Sequence, residues 1–267
     1  VSEPTPRRLG RFSKHEPKLP SERDWERSAV LEPRPGPRDP ALVSDGGGLP
    51  FPLAALAGAA GALDADDPAV AALSRYLADP EAPQHSASAP WKRGSTAPAA
   101  PPPSLDGWRL LARTDEEALF GRGRPPQLLT VAVRQDGRRR TWAHVGASAG
   151  EQLRAARERI RASSWRLDPT QAPQPDDTVL RVLVKEQTFA SGQRADRRVL
   201  VPDIYVDENE VVLTLFVKPR PGYQTGDRNP ETPVRIALAE PLGTRQLIDG
   251  AVAQYSPWAR PDRASSS

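Results

Sequence analysis

Between residues 177 and 250 apolar runs alternate with polar turns: 179–184, 199–206 and 211–217 are rich in valine, leucine and isoleucine. Leu180, Val182 and Val184 occupy every second position, with Arg181 and Lys185 between and beside them, which is the two-residue period of a strand with one face on a core. Asp207-Glu208-Asn209-Glu210 is a polar turn joining Val206 to Val211, so 199–217 reads as a hairpin in which Pro202 is tolerated only at an edge or a bulge. Residues 234–239 and 246–248 read as two further strands. Upstream, 108–112, 118–120, 128–134 and 141–145 carry the same signature, and Gln135-Asp136-Gly137 marks a hairpin because Asp-Gly readily takes positive φ. Residues 165–167 form a short strand that stops at Asp168-Pro169. Only 151–162 reads as a helix here, on propensity and a thin stripe of Leu153, Ala156 and Ile160. About eight short strands with little helix between them predict a mainly β fold, an antiparallel β-sandwich or open barrel over 107–250.

The period changes before residue 107. Asp66 or Asp67 as N-cap, Pro68 at the first helical position, and Val70, Leu73, Tyr76 and Leu77 at three- and four-residue spacing predict a short amphipathic helix ending at Asp79-Pro80. It is too short to stand alone, so its apolar stripe must dock, either on the β domain or on a partner. Residues 1–48 mix both charges with prolines and show no hydrophobic period. They predict a disordered arm, with a short helix at 21–29 where Ser21 and Asp24 form a capping-box pattern. Residues 49–80 hold an apolar segment and the helix, 81–106 a Pro/Ala/Ser linker, and 251–267 a tail.

Composition sharpens this division. More than half of the 31 prolines precede Gly107, and proline removes backbone donors where apolar content is already low. The 37 Lys+Arg against 34 Asp+Glu leave a net charge of only +3, which is no nucleic-acid footprint. With no cysteine there is no disulfide framework, no thiolate nucleophile and no cysteine zinc site. The most apolar stretch, 49–63, is interrupted by Pro50, Pro52, Gly58 and Gly61, and spanning a bilayer takes about 20 apolar residues. No signal-peptide pattern opens the chain, so a cytoplasmic protein without a transmembrane segment is the expectation.

The run Val184-Lys185-Glu186-Gln187-Thr188-Phe189-Ala190-Ser191-Gly192, followed by Pro202, Pro219, Gly222, Asn229-Pro230 and Glu240-Pro241-Leu242-Gly243-Thr244-Arg245-Gln246-Leu247-Ile248-Asp249-Gly250, resembles uncharacterised exported or membrane-attached β-rich proteins of high-GC Gram-positive (actinobacterial) bacteria. Gly107-Trp108-Arg109 and Leu119-Phe120 fit the same pattern, and the likeness covers 105–250. It implies no activity. The pattern carries cysteines where this chain has Phe189 and Gly226, and the resemblance implies that those cysteines form a disulfide. Phe189 and Gly226 are therefore expected to be close, as a pair replacing that bridge in a reducing compartment.

Of the three histidines, His15 and His85 fall in the arm and the linker, and His144 lies beside Trp142 at a strand end, where a half-exposed structural role is the usual one. The acidic pairs Glu116-Glu117 and Asp176-Asp177 and the turn 207–210 are sequence neighbours in turns, whereas acid–base work needs carboxylates facing each other across a cleft. The turn 207–210 also lacks the glycine and ligand spacing of a calcium loop. There is no Gly-x-Ser-x-Gly elbow, phosphate loop or dinucleotide fingerprint, so no catalytic residue, metal or cofactor is expected. For binding, Arg138, Arg139 and Arg140 with Trp142, and Arg154, Arg157, Arg159 and Arg161, offer a basic surface near an aromatic, diluted by Glu151 and Glu158. The leading expectation is a non-enzymatic protein-interaction domain with an unidentified protein partner. The alternative is a module that takes an anionic ligand, a nucleic acid or polyanion, on the arginine-rich face, with nucleic acid the weaker option.

Overall fold

The computed structural model describes residues 19–46, 48–57, 63–78, 104–188, 190–225 and 229–252. In chain order the elements are helix α1 (Glu22–Arg27), strands β1 (Val30–Leu31), β2 (Arg34–Pro35), β3 (Leu42–Ser44) and β4 (Phe51–Pro52), a 3-10 turn (Leu53–Leu56), helix α2 (Pro68–Ala78), and then strands only. These are β5 (Trp108–Arg113), β6 (Glu117–Arg122), β7 (Leu129–Gln135), β8 (Trp142–Ala149), β9 (Arg154–Arg157), β10 (Ile160–Leu167), β11 (Val179–Lys185), β12 (Asp203–Val206), β13 (Glu210–Phe216), β14 (Thr232–Ala237) and β15 (Gln246–Asp249). The fold is mainly β, as the strand periodicity predicts.

β5 to β8 form a four-stranded antiparallel sheet in chain order. Both of its faces are covered, so β6 is buried from Glu117 to Gly121 instead of alternating. Ala118, Phe120, Val131 and Val133 face α2 through Ala69, Val70, Ala72 and Leu73. Leu111, Leu119 and Ala132 face the other way, onto Val43, Leu49, Phe51 and Leu56. α2 thus docks on this sheet, starting at Asp67, whose Oδ1 accepts from Ala69 N at 2.8 Å. Arg113 holds the same carboxylate, and Arg75 Nη2 donates to Trp142 O at 2.8 Å.

The remaining strands make a large mixed sheet with the path β1-β14-β11-β10-β13-β12-β2. β15 pairs with β13, and β9 links β10 to β3 and β4. Most pairs are antiparallel, but β1/β14, β2/β12 and β13/β15 are parallel. A parallel pair needs a long connection, not necessarily a helical one, and these partners are far enough apart in the chain to meet without a crossover helix. The curved sheet encloses Leu180, Val182, Val184, Val211, Leu213, Leu215, Val234 and Ile236. Asp207 closes the β12–β13 hairpin, its Oδ1 accepting from Asn209 N and Glu210 N at 2.8 and 2.9 Å. Those backbone donors hold its pKa below the usual carboxylate value. Pro202 precedes β12, and its carbonyl accepts from Arg34 N.

Two expectations are corrected. Residues 151–162 are not helical: β9 and β10 form a hairpin turned at Glu158-Arg159, with Glu158 at φ 53°. The stripe of Leu153, Ala156 and Ile160 is too thin to hold a docked helix, and ladder pairing with β3, β11 and β13 overrides propensity. Residues 19–46 are not a free arm. α1 has the capping box, with Asp24 Oδ2 accepting from Ser21 N and Ser21 Oγ accepting from Asp24 N. Its Trp25 is 1% exposed, with the Arg181 guanidinium 5.4 Å from the ring centroid. β1 then covers β14 and β2 covers β12, so the six residues Val30 to Pro35 bridge both ends of the sheet path.

Candidate functional site

The turn 136–141 is shaped by Asp136. Its Oδ1 accepts from Arg138 N and Arg139 N at 2.8 and 3.2 Å, which lowers its pKa, and Arg140 follows at φ 52°. Arg138, Arg139 and Arg140 are exposed there. Arg140 lines an open polar cup with Arg113, Thr114, Asp115, Glu116 and Gln135, so two carboxylates share the space with the two guanidinium groups. Trp142 is not part of that surface: it is buried under α2, and the cation over its ring is Arg113, 5.6 Å from the centroid.

The second set of arginines is engaged by groups of the fold, with Arg154 buried and Arg159 exposed. Arg154 is buried, donating Nε to Ala162 O at 2.9 Å beside Asp249. Arg157 bonds Asp203 at 2.7 Å and lies over Phe216. Arg159 pairs with Glu117 at 2.6 Å, and Arg161 Nη2 donates to Gln152 O at 2.5 Å. Other arginines tie residues 19–46 down: Arg34 to Asp203, Arg38 to Glu210, Arg181 to Glu22 and Arg194 to Asp24, while Arg235 Nη2 donates to Ser28 O. These arginines thus serve contacts within the fold.

The bridging segment leaves an apolar groove that no single stretch of sequence announces. It measures about 570 Å³, with Pro33 and Pro35 on one side and Ile204, Val206, Ala237 and Leu238 on the others. Val211, opposite Val206 in the β12–β13 ladder, is buried at its base. Val206 is 40% exposed. Glu32, Glu240 and Arg245 form the rim, where Arg245 pairs with Glu240 and donates Nε to Leu242 O at 2.9 Å. These residues come from three separated parts of the chain, so periodicity within one element carries no sign of the groove.

His144 stacks on Tyr76 of α2, ring centroids 3.9 Å apart. Burial lowers its pKa and leaves Nε2 without a hydrogen-bond partner, so the neutral ring is the form this contact favours. Phe189 and Gly226 lie outside the described residues. The residues flanking them are joined: Ala190 N donates to Asn229 Oδ1 at 2.9 Å, and Thr225 N to Ser191 Oγ at 3.0 Å. Among the described residues no group of three or more histidines and carboxylates is arranged to hold a metal ion. No helix among them is long and apolar enough to cross a membrane. Compared with family models, curated proteins and solved structures, the chain matches none.

Proposed function

We propose that this chain is a non-enzymatic interaction domain of β-sandwich type, which receives a segment of a protein partner in the groove between β12, β14 and the 30–35 segment. The observation that carries the reading is the groove itself: about 570 Å³ of apolar wall with exposed Val206 and a charged rim. That volume lies within the range of ligand-binding clefts, and an apolar base with a polar rim is the anatomy of a protein interface. The short β1 and β2 leave an extended peptide room to lie along the sheet ends, where apolar pockets for alternate side chains give specificity.

The test is a photo-crosslinking residue at position 206 of the full chain in its host cell, with position 129 on the other sheet as control. A discrete adduct from 206 that is absent from 129 and lost with Leu238→Arg is the expected result. Equal adducts from both positions overturn the assignment. The alternative, an anionic ligand on Arg138, Arg139 and Arg140, draws support from their exposure alone. It predicts binding that weakens steeply with salt and survives Leu238→Arg.

A further inference from the structure

Where Ser44, Gly46 and Gly48 meet the large sheet there is a partly open crevice of about 170 Å³, separate from the groove and from the arginine turn. Ser44 and Gly46 line it together with Arg161 and Ser163 of β10 and with Glu186, Gln187 and Thr188. Ser163 is 1% exposed, Ser44 is 4% exposed, and the hydroxyl of neither donates to a described acceptor. Ser44 Oγ accepts from Gly46 N at 3.0 Å, so its own O–H is available. Arg161 Nε is buried with no partner, although Nη2 is engaged by Gln152 O. Two hydroxyls and the Arg161 Nε–H therefore line one small space, and the buried Nε–H, which meets no acceptor, carries a desolvation cost that an acceptor removes.

Two of the nearby carboxylates are already paired. Glu186 is held by both terminal nitrogens of Arg198 at 2.7 and 2.6 Å, and Glu117 by Arg159. Asp45 bonds Thr130 and, with Glu151, lies within electrostatic range of Arg161. Gly46 lets the guanidinium approach. Its φ is +92°, a conformation that favours glycine, and a Cβ there would stand 3.0 Å from Arg161 Nη1, the end of a flexible side chain.

We infer that this crevice binds one small oxyanion, a carboxylate or phosphate group, on Arg161, Ser44 and Ser163. An acceptor-only ligand matches a set of donors, and a planar guanidinium is suited to oxyanion geometry. The small volume takes a single head group and not a polyanion. The inference is independent of the groove proposed above and stands or falls without it.

The test follows the Arg161 Nε–H signal in nitrogen-15 spectra of the full chain, assigned by its loss in Arg161→Met. Acetate and inorganic phosphate are titrated separately, with chloride at matched ionic strength as reference. A saturating shift with acetate, phosphate or both, and none with chloride, supports the site and identifies the head group it takes. Ser163→Ala then raises the half-saturation concentration about tenfold, the effect of one hydrogen bond to a charged group. Shifts that rise linearly or match chloride overturn the inference, as does an unchanged half-saturation in Ser163→Ala. The wild-type titration does not depend on whether a variant folds.

Discussion

The four-stranded sheet joins neighbours in the chain, and the large sheet joins segments far apart. β5 to β8 follow one another in space as in sequence, each connected to the next by a short turn. In the large sheet β1 meets β14, β2 meets β12, and β10 touches β9, β11 and β13 in turn along its length. The small sheet is covered by α2 and by residues 43–56. The large one wraps round its own core, and the ends of its path are covered by a proline-bearing segment held down by ion pairs. Local pairing needs only good turns, whereas distant pairing must overcome loop-closure entropy and here draws on arginine contacts to fix position.

Disturbing the N-terminal segment is expected to affect the large sheet and spare the small one. Trp25→Ala removes a buried aromatic from beneath Arg181 and costs about 3–5 kcal/mol. Denaturant unfolding measures the loss, and hydrogen exchange quickens at the β14 amides before those of β6 and β7. Arg198→Met strands the Glu186 carboxylate, whose side chain is 3% exposed. Breaking such a pair costs about 3 kcal/mol, the lower end of the usual range, because Thr188 Oγ1 still donates to Glu186 at 3.1 Å. Thermal unfolding reads this as a lowered Tm.

A matched pair of glycine substitutions sharpens the comparison. A Cβ at Gly250 would stand 2.3 Å from Thr214 Oγ1 and 2.7 Å from Val212 Cγ1, both on short β-branched side chains of β13. At Gly121 it would stand 2.5 Å from Leu111 Cδ1, the end of a longer side chain. Gly250→Ala is expected to cost about 1–3 kcal/mol and Gly121→Ala less, because Leu111 can change rotamer.

The smallest effect is electrostatic. Asp24 is held at a pKa of about 2 by hydrogen bonds from Ser21 and by Arg194. Since the folded value is depressed below the unfolded one, the carboxylate's contribution is complete above the unfolded pKa and is lost as pH falls through about 4 towards 2. The α1 cap therefore loosens over that window, seen as a change in Trp25 fluorescence that Asp24→Asn abolishes.

Much of this architecture was legible in the sequence. Period-two alternation located β11, apolar runs between turns located β13 and β14 to within a few residues, Asp136-Gly137 marked the β7–β8 hairpin, and Asp67-Pro68 marked the start of α2. The reading failed at 151–162, where good helix formers lie in a hairpin, because propensity is weaker than pairing on both sides. It failed again at 19–46, because low apolar content describes a segment that cannot fold alone and not one that cannot dock. Of the candidate site residues, Arg138 to Arg140 are at the surface as read, while Trp142 turned inward because α2 covers it. Neither the groove nor the crevice lined by Ser44, Arg161 and Ser163 had a sequence signal, since both are assembled from the N-terminal segment and strands more than a hundred residues away.

The sequence by itself determined the strand-rich class, the turns and the docking stripe of α2, because these depend on residues a few positions apart. Tertiary structure alone decided where the arginines go. A guanidinium looks the same in sequence whether it faces solvent or a carboxylate on a distant strand, and only the folded chain brings Arg34 to Asp203, Arg181 to Glu22 and Arg198 to Glu186.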